Sequence, residues 1–291
     1  MNIIVDNTSS MFTFDDTTEL LSSTLSKMGH NVKVNNGELC SYAKLEQNPD
    51  YVFTSLVVFD KDMAHYLANN ITKTIFIINI ETQSKVKDIL EMEDFLHKYK
   101  VNYKFVVNNH RSRKIIFKYQ KNVINFIYGT SGYLLSDTTM DWKGRNIEFL
   151  MVANDQALDI KMLSDIQKEY SIHALRTTRD NSNQTAHINM DQPLINYKNI
   201  LQNYNKILYY APCIGRDFFE LCKLRKPIYT VSSPVSIASK ALKIEGLDIT
   251  WENRKENKDI NWNQIYDKVD NDFSFEGQVK KLMSHLPKVS K

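Results

Sequence analysis

Two charged residues at the start of the stretch RDFFELCKLRKPIYTVSS, residues 216–233, suggest a ligand site. Arg216 and Glu220 are four residues apart, so they share one face of the helix that we predict up to Arg225–Lys226. Pro227 ends that helix and the next four residues predict a strand. Helix N-terminal amides and an arginine suit phosphate, whereas a carboxylate suits paired sugar hydroxyls. This spacing predicts a nucleotide-sugar pocket, with an ion pair on a solvated helix face as the alternative.

Two further carboxylates follow apolar segments that predict buried strands. Glu81 comes directly after the run at 73–80, and Asp6 follows the run at 2–5. A carboxylate within hydrogen-bond reach of a hydroxyl could remove its proton as the oxygen attacks a sugar. Glu81 is therefore our candidate general base, with Asp6 as the second candidate. The alternative for Glu81 is a structural one, in which it complements the dipole of the helix predicted from Val86.

A basic cluster with interleaved aromatic residues lies in the first half of the chain. Several cations in such a group could contact successive DNA phosphates, although a solvated helix face is an equally good interpretation. The candidate contacts to an acceptor or to DNA are His110, Arg111, Arg113, Lys114 and Lys118.

Paired aspartates at Asp60–Asp62 and Asp270–Asp272 could in principle begin a Mg²⁺ or Mn²⁺ site. Two-residue matches of this kind occur often by chance. No histidine or cysteine grouping has the spacing of a zinc site, and no phosphate-binding glycine motif is present. We therefore expect no metal site in the protein and no metal requirement for donor binding.

Alternating strand and helix patterns run along the chain and predict an α/β protein with two consecutive parallel-sheet domains. A polar segment at 129–144 separates the two series. We place an N-terminal acceptor-binding domain at 1–138 and a nucleotide-sugar-binding domain at 139–291. A final helix at 275–286 is expected to pack back on the first domain. Ligands of such folds lie beyond the carboxyl ends of the strands.

The composition is that of an ordinary globular chain, with 291 residues, 42% hydrophobic and 24% charged. No apolar run approaches the roughly 20 residues of a membrane helix, and the first residues lack signal-peptide features. Three cysteines without redox or metal spacing predict reduced structural thiols. The net charge of +3 neither requires nor excludes a polyanionic partner. We expect a cytoplasmic protein.

Three segments, in order, resemble glycosyltransferases of the two-Rossmann-domain (GT-B) type: LSKMGHNVKV at 25–34, NPDYVF at 48–53 and FFELCKLRKPIY at 218–229. The resemblance implies two Rossmann-like domains that face each other across a cleft. It also implies that Glu220 holds the ribose of a nucleotide sugar. Many of these enzymes have another glutamate eight positions earlier, where this chain has Pro212.

Within this fold the chain resembles the phage DNA base glucosyltransferases. The resemblance lies in the order of predicted strands and helices from Glu19 to Glu81 and over 147–161. That resemblance implies Glu81 as general base and inversion at the sugar. The arginines of that group, after the first strand of the second domain, are replaced by Asn154, Asp155 and Gln156. We therefore assign Asn154, Lys161 and Arg216 to the donor site. The sugar could be glucose or a pentose such as arabinose.

The leading hypothesis is transfer of a sugar from a UDP-sugar to 5-hydroxymethylpyrimidine in double-stranded DNA, by a monomer in the host cytoplasm if phage-encoded. One alternative is a cell-envelope glycosyltransferase acting on a lipid-linked or polymer acceptor. Another is a non-catalytic two-lobed ligand-binding protein.

Overall fold

The structure is a computed structural model, and it describes thirteen stretches of the chain. These are residues 1–6, 17–35, 49–55, 73–80, 86–107, 123–125, 149–154, 168, 172–177, 188–190, 204–210, 216–230 and 260–289. The chain divides into two compact units. Unit 1 comprises Met1–Ile127 together with Glu276–Lys291, and unit 2 comprises Tyr128–Phe275.

Unit 1 contains a six-stranded sheet in which every neighbouring pair is parallel. Its strands are β1 (Asn2–Asp6), β2 (Asn31–Asn35), β3 (Tyr51–Ser55), β4 (Ile75–Ile80), β5 (Asn102–Val107) and β6 (Val123–Asn125). They lie in the order β2-β1-β3-β4-β5-β6. The near-continuous apolar sequence of β4, IFIINI, is typical of a parallel strand covered on both faces.

In the described part of unit 1, two helices connect strands, α1 (Thr17–Lys27) and α2 (Val86–Lys98). Gly29 has a φ of +84° two residues after the end of α1, in the left-handed conformation with which glycine commonly ends a helix. Helix α2 buries Ile89 and Leu96 against strand residues such as Phe76 and Phe105. Full burial of one such side chain contributes about 1.5–3 kcal/mol, so this contact fixes α2 on the sheet.

The last helix, α5 (Phe275–His285), matches the helix predicted at 275–286. Its apolar face is buried through Val279 and Leu282, and the segment from Glu276 onward groups with unit 1. The Tyr51 hydroxyl donates a 2.7 Å hydrogen bond to the main-chain oxygen of Pro287, 236 residues later. Unit 1 is therefore assembled from both ends of the chain.

Unit 2 contains a second parallel sheet, of five strands in the order β11-β10-β7-β8-β9. The strands are β7 (Phe149–Asn154), β8 (Ile172–Thr177), β9 (Ile188–Met190), β10 (Lys206–Tyr210) and β11 (Ile228–Thr230). Counted within the unit, this is the order 5-4-1-2-3, which is that of the dinucleotide-binding fold. Helices α3 (Arg216–Cys222) and α4 (Trp262–Asp272) belong to this unit.

The predicted class, an α/β protein with two Rossmann-like domains and a C-terminal helix, is confirmed by these two sheets and α5. The predicted helix end at Arg225–Lys226 is wrong, because α3 ends at Cys222. The next three amides bond to carbonyls three residues back, which tightens the chain into a turn. Arg225 then adopts a φ of +56°, a conformation that cannot continue a helix.

Two elements of unit 2 are absent from the sequence-based assignment. Strand β9 lies inside the polar segment 179–193, whose composition favours a loop, and α4 lies where we predicted no helix. The boundary expected at 138/139 lies outside the described residues.

Candidate functional site

The strand order defines one switch point in each sheet. This is the pair of neighbouring strands from which the chain connections run towards opposite edges of the sheet. In unit 1 it lies between β1 and β3, and in unit 2 between β7 and β10. Loops diverge at the carboxyl ends of such strands and leave a crevice, the usual ligand position in open α/β sheets. Of the predicted residues, Asp6 ends β1 and Asn154 ends β7. Arg216 and Glu220 lie in α3, the helix that follows β10.

Asp6 is fixed at the switch point of unit 1 by its neighbours. It is 3% exposed, and its Oδ1 accepts a 3.2 Å hydrogen bond from Asn35 Nδ2. Its Oδ2 accepts a 3.0 Å bond from Thr54 Oγ1. Asn35 and Thr54 belong to β2 and β3, the two strands that flank β1. One carboxylate thus joins the carboxyl ends of three adjacent strands, and both of its oxygens accept hydrogen bonds.

Glu220 is a buried carboxylate in a helix that is itself buried. It is 4% exposed, and its neighbours Phe218, Phe219, Leu221 and Cys222 are each at most 1% exposed. The Phe218 ring packs edge-on against Tyr209 of β10, with centroids 5.1 Å apart. Burial of a carboxylate is costly, so a buried glutamate on the helix that follows the switch-point strand β10 is the feature of α3 most relevant to function.

The thiol of Cys222 lies two residues further along α3 and is free and fully buried. Burial, with the carboxylates of Asp270 and Glu220, raises the pKa of this thiol far above its usual value. Because the thiolate is the reactive form, Cys222 is a structural residue and not a nucleophile. The expectation of a structural thiol holds at this position.

An ion-pair network joins the turn after α3 to α4. Lys223 Nζ lies 2.5 Å from Asp270 Oδ1. Arg225 contacts Asp267 at 2.5 Å and Asp270 at 2.9 Å. The hydrogen bond from Arg225 to Asp267 is the main cause of a raised pKa for that guanidinium. Asp270, considered above as part of a metal motif, is instead an anchor for α4.

Lys226 lies just before the amino end of β11, from which Pro227 separates it. Its Nζ donates to the main-chain oxygen of Tyr204, and its own main-chain oxygen accepts from the Tyr266 hydroxyl. Burial lowers the pKa of the Lys226 ammonium to about 8. No sequence pattern distinguished this lysine from the adjacent basic residues, because its burial depends on tertiary contacts such as the one with Tyr204, 22 residues earlier.

Most of the other predicted site residues lie outside the described part of the chain. These are Glu81, Lys161, His110, Arg111, Arg113, Lys114 and Lys118. For Arg216 and Asn154 the structure gives the backbone position alone. Asp6 and Glu220 are therefore the two candidates whose side chains can be located, Asp6 at the end of the switch-point strand β1 and Glu220 in the helix that follows the switch-point strand β10.

Within the described stretches, no three His, Cys, Asp or Glu side chains are grouped so as to hold a metal ion. Within the same stretches, no helix combines the length and apolar character that crossing a bilayer requires.

The fold defines a class: an α/β protein of two parallel-sheet, Rossmann-like units. No protein-family model matches the sequence, and a search of curated proteins finds no significant match.

Several solved structures are similar over most of the chain. The glycosyltransferase SnogD from Streptomyces nogalater has 12% identity and a TM-score of 0.46, with 98% of each chain covered. The spinosyn forosaminyltransferase SpnP has 11% identity and a TM-score of 0.44 at the same coverage. Arabidopsis thaliana UGT89C1, complexed with UDP-L-rhamnose, has 12% identity and a TM-score of 0.37, with 97% of this chain and 84% of that chain covered. At these values the likenesses assign no substrate or activity to this chain.

Proposed function

We propose that this protein is a glycosyltransferase that moves a sugar from a UDP-sugar to a hydroxyl acceptor. The observation that carries the proposal is Glu220, a buried carboxylate on the helix that follows the switch-point strand β10. A carboxylate accepts two hydrogen bonds and so suits the paired hydroxyls of a ribose. The three segments that resemble GT-B glycosyltransferases include this helix.

In the proposed site Glu220 binds the ribose, and Arg216, Asn154 and Lys161 contact the donor diphosphate. Positive charge at that position stabilises the leaving group as the bond to the sugar breaks. The divalent ions Mg²⁺ and Mn²⁺ are not required for donor binding in this scheme.

The acceptor that we propose is 5-hydroxymethylpyrimidine in double-stranded DNA. Support comes from the resemblance over Glu19–Glu81 and from the basic cluster at 110–118. Glu81 would take the proton of the hydroxymethyl group as its oxygen attacks the anomeric carbon, with inversion and departure of UDP. Asp6 is the weaker candidate for that role, because its two carboxylate oxygens already accept hydrogen bonds from Asn35 and Thr54.

Donor binding is tested by thermal unfolding with UDP, UDP-glucose and GDP. A ligand at 100 times its Kd stabilises the folded state by about 2.7 kcal/mol, so the uridine compounds should raise the Tm by several degrees. Glu220→Gln keeps the side-chain shape but weakens ribose binding, and the shift should be lost. Cys222→Ala, on the same buried helix, should lower the baseline Tm yet retain the shift. An unchanged shift in Glu220→Gln would remove Glu220 from the pocket.

The acceptor is tested by sugar transfer from radiolabelled UDP-sugars to duplex DNA with and without 5-hydroxymethylcytosine. We expect label only on the modified duplex, and a loss of at least about 100-fold in Glu81→Gln, the usual range for a general base. UDP-sugar binding without DNA labelling, but with labelling of a lipid-linked acceptor, would favour the cell-envelope alternative. Binding without transfer to any acceptor would favour the non-catalytic one.

A further inference from the structure

Three side chains with metal-ligating atoms meet in unit 1, away from the switch point of that unit. Glu93 and His97 lie on α2, and Tyr103 lies near the start of β5. The Tyr103 hydroxyl donates a 2.9 Å hydrogen bond to Glu93 Oε1 and lies 3.2 Å from His97 Nε2. His97 Nε2 and Glu93 Oε1 are 3.8 Å apart. None of these residues belongs to the proposed sugar-nucleotide site.

The local sequence explains why the three converge. Glu93 and His97 are four residues apart and therefore share one face of α2. The chain then reverses through Lys100, which has a φ of +53°, and enters β5. This short return places Tyr103 beneath the last turn of the helix that precedes it.

One side of the cluster packs on the sheet, and the other side is exposed to solvent. Tyr103 is 7% exposed, and its ring packs edge-on against Phe105, with centroids 5.0 Å apart. The side chain of Glu93 is 17% exposed, whereas that of His97 is 65% exposed. The ligand atoms are thus supported by the sheet and can be reached from solvent.

The separations of the three atoms suit a small divalent ion. Zinc binds imidazole nitrogen and carboxylate oxygen at about 2.0–2.2 Å, so two ligands of a tetrahedral ion are about 3.3 Å apart. The observed separations are 2.9 Å from the Tyr103 hydroxyl to Glu93 Oε1, 3.2 Å from that hydroxyl to His97 Nε2, and 3.8 Å from His97 Nε2 to Glu93 Oε1. They lie on both sides of that value. The distance between His97 and Glu93 is too long for a direct hydrogen bond, yet it suits two ligands on the same ion.

We propose that Glu93, His97 and Tyr103 form a binding site for a divalent transition metal ion of the zinc type. His97 Nε2 and Glu93 Oε1 are the principal ligands. The Tyr103 oxygen lies at the third position, and water completes the coordination on the open side. An imidazole ligand favours Zn²⁺, Ni²⁺ or Cu²⁺ over Mg²⁺ and Ca²⁺, which prefer oxygen alone. The ion would link the last turn of α2 to β5.

The test is equilibrium dialysis of the full-length, tag-free protein against Zn²⁺. We expect His97→Ala and Glu93→Gln each to lose one bound ion per chain, or to bind it at least about tenfold more weakly. Tyr103→Phe should weaken binding by a smaller factor. The matched control is His285→Ala, because His285 is also an exposed histidine in the last turn of a helix but forms no ion pair with a carboxylate in the described residues.

Three results would overturn the proposal: no zinc binding by the wild type, unchanged binding in His97→Ala, or a loss in His97→Ala that Glu93→Gln does not share. Equal competition by Mg²⁺ would contradict the assigned metal class. Because His97 is mostly exposed, His97→Ala should fold normally, and circular dichroism spectra identical to those of the wild type would exclude unfolding as the cause.

Discussion

At the scale of single residues, the two buried carboxylates Asp6 and Glu220 have different surroundings. Asp6 accepts hydrogen bonds from both flanking strands, so its position is explained by the sheet itself. Glu220 lies on the buried helix α3, and its neighbours along that helix are apolar. The sequence indicated Asp6 from its place after a strand pattern, and Glu220 from its helical spacing with Arg216 and the resemblance of its segment to a donor-site helix. It could not distinguish them, because the donors to Asp6 come from residues 29 and 48 positions away.

Replacement of Asp6 tests its role in joining three strands. Asp6→Ala leaves two buried donors without their acceptor, and each such loss costs about 1–3 kcal/mol. Asp6→Asn can still accept from Asn35 and can donate to the Thr54 oxygen, so the loss should be smaller. Urea unfolding of the two variants and the wild type measures this difference.

The control for this experiment is Thr54→Val, which removes only one of the two hydrogen bonds and should have an intermediate effect. If Asp6→Ala unfolds at the same urea concentration as the wild type, the carboxylate does not stabilise the sheet.

At the scale of elements, the strand patterns were informative because buried parallel strands are apolar along their whole length. Helix α4 was not predicted, although its sequence contains local signals of a helix. Its sequence contains an N-cap, Asn261, whose Oδ1 accepts from the Gln264 amide, and an apolar series Ile265, Tyr266 and Val269. These signals are local and could have been found. The ion pairs that attach α4 to the turn after α3 are not local, because they join residues more than 40 positions apart.

Two aspartates of α4 provide a matched pair for measuring this attachment. Asp270 is 24% exposed and contacts both Lys223 and Arg225, whereas Asp267 is 64% exposed and contacts Arg225 alone. Asp270→Ala should destabilise the protein by about 1.5–3 kcal/mol, as for hydrogen bonds to charged groups. Asp267→Ala should cost about 0–1 kcal/mol, as for an exposed ion pair.

Thermal or denaturant unfolding of the two variants gives both values under the same conditions. Equal losses would mean that the partial burial of Asp270 and Lys223 adds nothing to the interaction. Addition of 0.5 M salt should reduce the effect of Asp267→Ala more than that of Asp270→Ala, since exposed pairs are screened more strongly.

At the scale of the whole molecule, the class of fold followed from the alternation of strand and helix patterns. The order of strands in each sheet could not be predicted in this way. Strand pairing depends on contacts between segments that are far apart in the sequence, and local patterns do not report those contacts. The switch points are defined by that order, so the sequence could name Asp6 and Glu220 but could not place them. The cluster of Glu93, His97 and Tyr103 was missed for a related reason. Its members span a helix end, a turn and a strand, and they have no spacing typical of a metal motif.

The hydrogen bond from Tyr51 to Pro287 has a consequence for biosynthesis. The sheet of unit 1 leaves the ribosome well before α5, since all of unit 2 is translated between them. Until α5 emerges, the surface that it covers is exposed, and a nascent chain in this state is vulnerable to chaperone capture and proteolysis. The first unit is therefore complete only after α5 has been translated.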